Sequence, residues 1–278
     1  MEGLMLDATV QTKAVPRMQR SRGAARAGFD GARLIGLHQS GSAKAILPRV
    51  PGAAEVVFLN TSGGLTSGDR LSYETDLANG ARLVATTQAA ERAYRAEDAR
   101  AEVTVHHRVG SGSHLDWLPQ ETILFDHSKL VRETTIELAA DASCLMLEAV
   151  VLGRIAMGER VRELQFFDSR RIERAGNPVF FEPFALDSNI LAKGARGAIL
   201  GEARAFATMV LCAQGAEDAT EAARTVLDEP GVEGAASGFD GKCVIRLLAR
   251  EGWPMRRQIL RLMETLRRGQ SAPRVWQI

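Results

Sequence analysis

From Arg33 to Phe184 the chain is a succession of short apolar or alternating runs, each cut by Gly, Pro, Asn or Asp. Arg33–His38, Glu55–Leu59, Ala81–Thr87, Ala101–His107 and Val131–Leu138 are five of them. Within one run, Val103 and Val105 alternate with Thr104 and His106, the period of a half-exposed strand. Many short strands at close spacing predict a mainly β fold of packed antiparallel sheets. Aromatic residues make up only 5% of the chain, so Val, Leu and Ile must form most of the core.

The last third changes character. Ala205–Cys212 and Lys242–Ala249 read as buried strands. Glu217–Asp228 reads as a helix stopped by Glu229-Pro230-Gly231. Pro254–Arg268 reads as a second helix, with Met255, Ile259, Leu262, Met263 and Leu266 on one stripe and Gly269 just past its end. The expected organisation is a basic N-terminal tail over 1–27 and a single domain over 28–278. That domain is β-rich over 28–200 and carries a small α/β portion with two helices over 201–278.

With 278 residues and 45% hydrophobic content, the chain is long enough to bury a sizeable core. Its 35 Lys and Arg nearly balance 34 Asp and Glu, which leaves no electrostatic footprint for nucleic acid or an anionic membrane. No apolar run approaches the ~20 residues of a membrane helix. Cys144, Cys212 and Cys243 are an odd set without a CxxC pair, the pattern of buried, reduced thiols in a cytoplasmic protein. Lys13, Arg17, Arg20, Arg22 and Arg26 make the first residues basic, and Glu2 and Asp7 interrupt any transit-peptide pattern.

No stretch carries a reaction by itself. Gly63-Gly64-Leu65-Thr66-Ser67-Gly68 looks like a phosphate loop, but Asp69 stands where the phosphate-binding Lys is needed. There is no GxSxG elbow and no HExxH. His106 and His107 are neighbours in a strand and point to opposite faces, while His106 and His114 would meet only across a hairpin. More informative are acids in apolar settings. Glu148 shares a strand face with Met146 and Val150, Glu182 follows Val179-Phe180-Phe181, Asp69 ends the glycine loop, and Glu121 and Asp126 flank Thr122–Phe125. A buried carboxylate is costly unless it is paired or binds a cation. One reading pairs these acids with Arg92, Arg95 or Arg154. The other lines a wet passage for a divalent cation with Asp69, Glu148 and Glu182, joined by Glu121 and Asp126. A passage needs several weak sites rather than one tight one.

Five stretches stand in a fixed order. They are Asn60–Asp69 with Gly63, Gly64 and Gly68, Thr86–Arg95 with Thr86, Gln88, Tyr94 and Arg95, Trp117–Asp126 with Trp117, Pro119 and Gln120, Leu152–Glu159 with Gly153, Arg154, Gly158 and Glu159, and the close on Pro273, Arg274 and Trp276. This ordered set resembles the urease accessory proteins called UreD, or UreH in some bacteria. The resemblance runs from about Gly28 to the end. It implies a mostly β scaffold with a small helical part and no catalysis of its own. It also implies binding to apo-urease and to UreF, recruitment of the UreG GTPase through UreF, and delivery of Ni²⁺ by way of an internal tunnel. No tightly bound cofactor is expected, only transient Ni²⁺. The competing expectations are an adaptor whose acids are all salt-bridged, and a metal-dependent hydrolase built on Asp69, Glu148, Glu182 and a histidine. The apolar end at Pro273–Ile278 is expected to dock, into this chain's own core or onto a partner.

Overall fold

The computed structural model describes residues 20–154, 157–193 and 200–277. Seventeen strands among them, numbered in chain order, build two layers. The first sheet runs, edge to edge, β14 (Asn177–Asp187), β13 (Leu164–Arg174), β11 (Ser128–Leu138), β8 (Ala101–Val109), β5 (Arg70–Ala78), β1 (Arg22–Asp30) and β2 (Arg33–Gly41). The second runs β16 (Val232–Phe239), β17 (Lys242–Ala249), β15 (Ala205–Cys212), β12 (Ser143–Leu152), β9 (His114–Trp117), β6 (Arg82–Thr87), β4 (Ala54–Asn60) and β3 (Ala43–Ile46). Short β10 (Thr122–Leu124) joins β12 to β7 (Glu91–Ala93).

The mainly β class stands, but strand direction departs from the expectation. In the middle of each sheet neighbours run parallel: β5, β8, β11 and β13 in one layer, and β4, β6, β9 and β12 in the other. Antiparallel pairs are confined to the flanks, such as β1–β2, β13–β14 and β15–β17. The cause is the order of layers along the chain. Successive long strands alternate between the sheets, so each return to a sheet comes through a strand of the other layer. A parallel neighbour requires such a crossover, which is usually a helix; here a strand does that work. Hydrophobic alternation alone reports which face is buried, not which way the neighbour runs.

The two layers differ in wrapping. In the first sheet β8 and β11 alternate buried and exposed residues, with one face on the core and one on solvent. In the second, β12, β15 and β17 are buried on both faces. Their outer face is covered by α2 (Ala219–Thr225) and α3 (Gly252–Leu266). Met255, Ile259, Leu262, Met263 and Leu266 of α3 are all buried against this face, as their spacing predicts. Residues on β12 divide accordingly: Cys144, Met146 and Val150 enter the core between the sheets, and Leu145, Leu147 and Ala149 lie under the helices. A further helix, α1 (Ser188–Lys193), follows β14 and is not foreshadowed by any apolar stripe.

Two boundaries are corrected. The limit drawn between the basic tail and the domain at 27/28 falls inside β1, which already pairs with β5 from Arg22; residues 1–19 lie outside the described set. The helix expected over Glu217–Asp228 is a 3-10 turn (Ala216–Asp218) followed by the shorter α2. The strands of the expected α/β portion extend the second sheet by pairing β15 with β12.

Candidate functional site

The ordered stretches meet in space. Leu65 N donates to Arg92 O at 2.7 Å and Tyr94 N donates back to Leu65 O at 2.8 Å, which ties the glycine loop to β7. Tyr94 Oη reaches Gly63 O at 3.3 Å. A side chain at Gly64, whose φ is +148°, would run into the Tyr94 ring and come within 2.7 Å of Arg92 O, so glycine there is a steric requirement. The Tyr94 ring meets Phe125 edge-on at 5.0 Å, and Arg154 lies over Phe125 at 4.7 Å. Arg154 Nε donates to Glu159 at 2.8 Å, and Glu159 also accepts Asp126 N at 3.2 Å. Gly153 N donates to Leu124 O at 2.8 Å. Thr66 Oγ1 binds Arg95 O at 2.9 Å, and Gly68 N binds Arg100 O at 3.2 Å. Gly158 is in the left-handed region, at φ +70°. Ser62, Gly63, Arg92, Arg95 and Arg154 leave this cluster open to solvent.

The C-terminus docks in this chain's own core. Trp276 Nε1 donates to Leu118 O at 2.9 Å beside buried Pro119, and Arg256 stacks over the indole at 4.5 Å. Gln120 Nε2 donates to Val275 O at 3.1 Å while accepting from Arg256 at 2.6 Å. Thr86 Oγ1 donates to the same Leu118 O at 2.6 Å, and Gln88 N reaches Phe58 O at 2.8 Å. Pro273 and Arg274 form the start of a short 3-10 turn that carries Trp276.

Between the sheets lies a line of buried charges. Glu148 on β12 accepts Trp117 Nε1 and Thr134 Oγ1, each at 3.0 Å, and pairs with Arg132 of the opposite sheet at 2.8 Å. Arg132 grips Asp168 with two bonds, Nε at 2.9 Å and Nη2 at 2.6 Å, and spends Nη1 also on Thr122. Arg170 binds Asp168 at 2.5 Å and Glu182 at 2.7 Å. Glu182 is closed off by Thr208 at 3.0 Å and Arg246 at 2.7 Å. Register explains the row: Arg132 sits opposite Asp168, Arg170 opposite Glu182, and Glu148, Thr208 and Arg246 opposite one another in the facing sheet. Burial would raise the Asp168 carboxyl, but the guanidinium groups of Arg132 and Arg170 hold it at about 2. Three carboxylates and three guanidinium groups thus cancel in charge.

A second polar group, near the glycine loop, has no guanidinium bonded to its carboxyl; Arg92 acts on Glu91 only through its charge and its backbone N–H. Glu91 accepts Asn60 Nδ2 at 3.3 Å, and burial pushes its carboxyl up to about 7. Asp69 is close enough to add to that shift. His107 is fully buried on β8; its Nδ1 meets Thr75 Oγ1 at 2.8 Å and its Nε2 has no partner. Burial lowers the imidazole to about 3, so it is neutral. Its ring packs on Trp117 at 4.7 Å, whose own ring neighbours Phe58 at 6.3 Å, and Phe58 stacks on Tyr73 at 4.8 Å. Glu91 acts electrostatically on Tyr73. Tyr73, Phe58, Trp117, His107 and Glu148 therefore form one contiguous interior seam, and half-buried Glu91 lies near its Tyr73 end.

The five acids singled out from sequence do not gather. Glu148 and Glu182 belong to the arginine row, but their partners are Arg132, Arg170 and Arg246 rather than Arg92, Arg95 or Arg154. Asp69 is turned into its loop, accepting Ser21 N at 2.7 Å and Thr66 N at 2.8 Å. Asp126 accepts the backbone of Arg162 and Glu163 at 2.8 and 3.0 Å. Glu121 lies 3.7 Å from Arg256 near the docked C-terminus. His106 pairs with Glu137 at 2.8 Å in one sheet, and His114 with Asp116 at 3.1 Å in the other, so the two do not meet. Among the described residues no three His, Cys, Asp or Glu side chains are grouped to hold a metal ion, and no helix is long and apolar enough to cross a membrane. Sequence reasoning missed Arg132, Asp168, Arg170 and His107. Each sits on the inward phase of an alternating strand, which is the signal that would have found them: Arg132 and Thr134 follow Leu130, and Asp168 and Arg170 lie between Phe166 and Ile172.

The family model for the UreD urease accessory protein matches residues 21–277. The urease accessory protein UreD of Cereibacter sphaeroides strain ATCC 17025 is 60% identical over 88% of this chain and 89% of its own length. The Paracoccus denitrificans UreD is 52% identical over 100% of this chain and 98% of its own. The Sinorhizobium medicae UreD is 44% identical over 92% and 94%. With the match spanning both sheets, the motif cluster and the docked C-terminus, this chain belongs to the UreD family of urease accessory proteins.

Proposed function

We propose that this chain is a urease maturation factor: a non-catalytic scaffold that binds apo-urease and UreF, recruits the UreG GTPase through UreF, and helps deliver Ni²⁺ to the urease active site in the cytoplasm. The observation that carries the reading is the family match along residues 21–277, to relatives named urease accessory protein UreD. The open motif cluster of Tyr94, Arg92, Arg95 and Arg154 supports a partner-facing role, since aromatic and Arg side chains are the usual anchors of interfaces.

Ni²⁺ is cargo here, held transiently, and its route is the interior seam. Oxygen and imidazole donors suit it. Glu91 and His107 supply one of each, and no side-chain ion pair occupies either of them. At Glu148 and Glu182 an ion competes with a guanidinium, so these two are exchange stations, and Asp69 stands beside the entry loop. A second reading has its own support. Every acid of the arginine row is paired, as in an adaptor whose charges only fix one sheet against the other. A hydrolase built on Asp69, Glu148 and Glu182 has less support, because Asp69 lies outside that row.

The test is urease activation in cells carrying the urease genes, UreF, UreG and nickel, with and without this chain, scoring activity and urease nickel together. The reading expects both to collapse without the chain and to return with it. Full activity and full nickel in its absence would end it. Glu148→Gln then separates the two readings: with complexes intact, lost nickel supports the route and unchanged nickel the adaptor.

A further inference from the structure

Cys144 and Cys212 face each other in register across the antiparallel β12–β15 pair. Directly opposed residues of such a pair lie roughly 4.5–5.5 Å apart at Cα, inside the roughly 4.4–6.8 Å window that a disulfide needs. Both thiols are fully buried and both enter the core between the sheets.

Two cations attend the pair. The guanidinium of Arg174, at the end of β13, reaches both sulfurs electrostatically, and its Nε and Nη2 are buried without any hydrogen-bond partner. Lys242 lies opposite Cys212 on β17. An unpartnered buried guanidinium is costly, and an anionic sulfur beside it relieves that cost. The neighbouring Cys144, together with Arg174 and Lys242, lowers the Cys212 thiol, whereas Cys212 and burial raise that of Cys144. The same two positive charges disfavour a metal cation on these sulfurs, which decides between the two common uses of a thiol pair. The pair lies near the end of the sheet: Cys212 ends β15, Lys242 begins β17, and the turn closed by Ala213 N on Gly241 O at 3.2 Å follows.

We propose that Cys144 and Cys212 form a peroxide-responsive thiol pair, with Cys212 as the attacking sulfur and Cys144 as the resolving one. The Cys212 thiolate attacks one oxygen of hydrogen peroxide, breaks the O–O bond and becomes a sulfenic acid, releasing hydroxide. Cys144 then attacks that sulfur, its proton leaves with the departing hydroxyl, and an internal disulfide and water result. The two sulfurs lose two electrons, which reduce one peroxide to two waters. Only a water-sized oxidant suits so enclosed a site. Cys243 stands apart, on the helix-covered face with Thr220 as its contact at 3.7 Å, and burial pushes its thiol up. It takes no part.

The experiment treats the folded full chain with hydrogen peroxide, removes the excess, denatures, alkylates with iodoacetamide and maps the peptides. The expected result is a Cys144–Cys212 linked peptide, with Cys243 alkylated. In Cys144→Ser, Cys212 instead reacts as a sulfenic acid with dimedone. Arg174→Gln slows disulfide formation several-fold, because the attacking thiolate loses a neighbouring cation. Recovery of Cys144 and Cys212 both alkylated, linkage through Cys243, or an Arg174→Gln variant that is folded and reacts as fast as the parent would overturn the proposal.

Discussion

The arginine row and the glycine-loop group are both polar insertions into one core, yet they are solved in opposite ways. Around Glu148, Asp168 and Glu182 every carboxylate has a guanidinium within 2.8 Å. Around Glu91 and His107 charge is removed instead: the carboxyl holds its proton up to about pH 7, and the imidazole is neutral down to about 3. The first solution is rigid, because each partner left alone is an uncompensated buried charge. The second is responsive, because a proton on Glu91 is easily replaced by a cation and the free Nε2 of His107 is a ready ligand.

The largest way to break this contrast is Asp168→Ala. It strands Arg132 and Arg170 in the core and should cost about 3–5 kcal/mol in denaturant unfolding. A loss below about 1 kcal/mol would mean that the row is not what holds the sheets.

Next is Glu148→Gln. Its remaining oxygen still accepts Trp117 and Thr134, but the amide nitrogen that replaces Oε2 cannot accept from Arg132, so both the charge and the acceptor there are lost and the expected loss is about 1–3 kcal/mol. A stabilised variant would place Glu148 with the responsive group.

Glu91→Gln should act in the other direction. The folded pKa of about 7 lies above the ordinary 4.5. Between these values the folded chain keeps a proton that the unfolded chain has lost, so stability falls as pH rises from 4.5 to 7. Glutamine mimics the protonated carboxyl. It should match the parent below pH 4.5 and exceed it by up to about 3 kcal/mol above pH 7. Equal stability of the two proteins at pH 8 would show a charged, compensated Glu91.

The smallest effect near neutrality belongs to His107. Its folded pKa of about 3 lies below the ordinary 6.5. The unfolded chain therefore takes up a proton that the folded one refuses, and stability falls as pH drops below 6.5. This amounts to roughly 0.7 kcal/mol between pH 7 and 6, and His107→Gln should remove it. An unchanged slope in that variant would assign the acid sensitivity to other groups.

Much of this contrast was out of reach of the sequence. The inward phase of β12 was legible, and so Glu148 was correctly set beside Met146 and Val150. Its partner was not, because Arg132 comes from the opposite layer and nothing local fixes which strands face each other. The parallel order was hidden for the same reason: alternation reads burial, and chain direction in a sheet depends on crossovers. The strands Ala205–Cys212 and Lys242–Ala249 and the stripe of α3 were legible because long apolar runs and a 3.6-residue period are local signals. Arg267 shows the limit of such signals. Just past α3, it is buried on Asp116 at 2.9 Å, where burial would raise the acid but His114 and Arg267 lower it. Glu91 gains its character only from Asn60 and the core around it.

The most direct measurement is the nickel content of urease matured in cells by the Glu91→Gln chain, with recovery of the complex of this chain, UreF and urease measured in the same lysate. The account predicts an intact complex and a several-fold fall in urease nickel. An intact complex that yields fully nickel-loaded urease would contradict it.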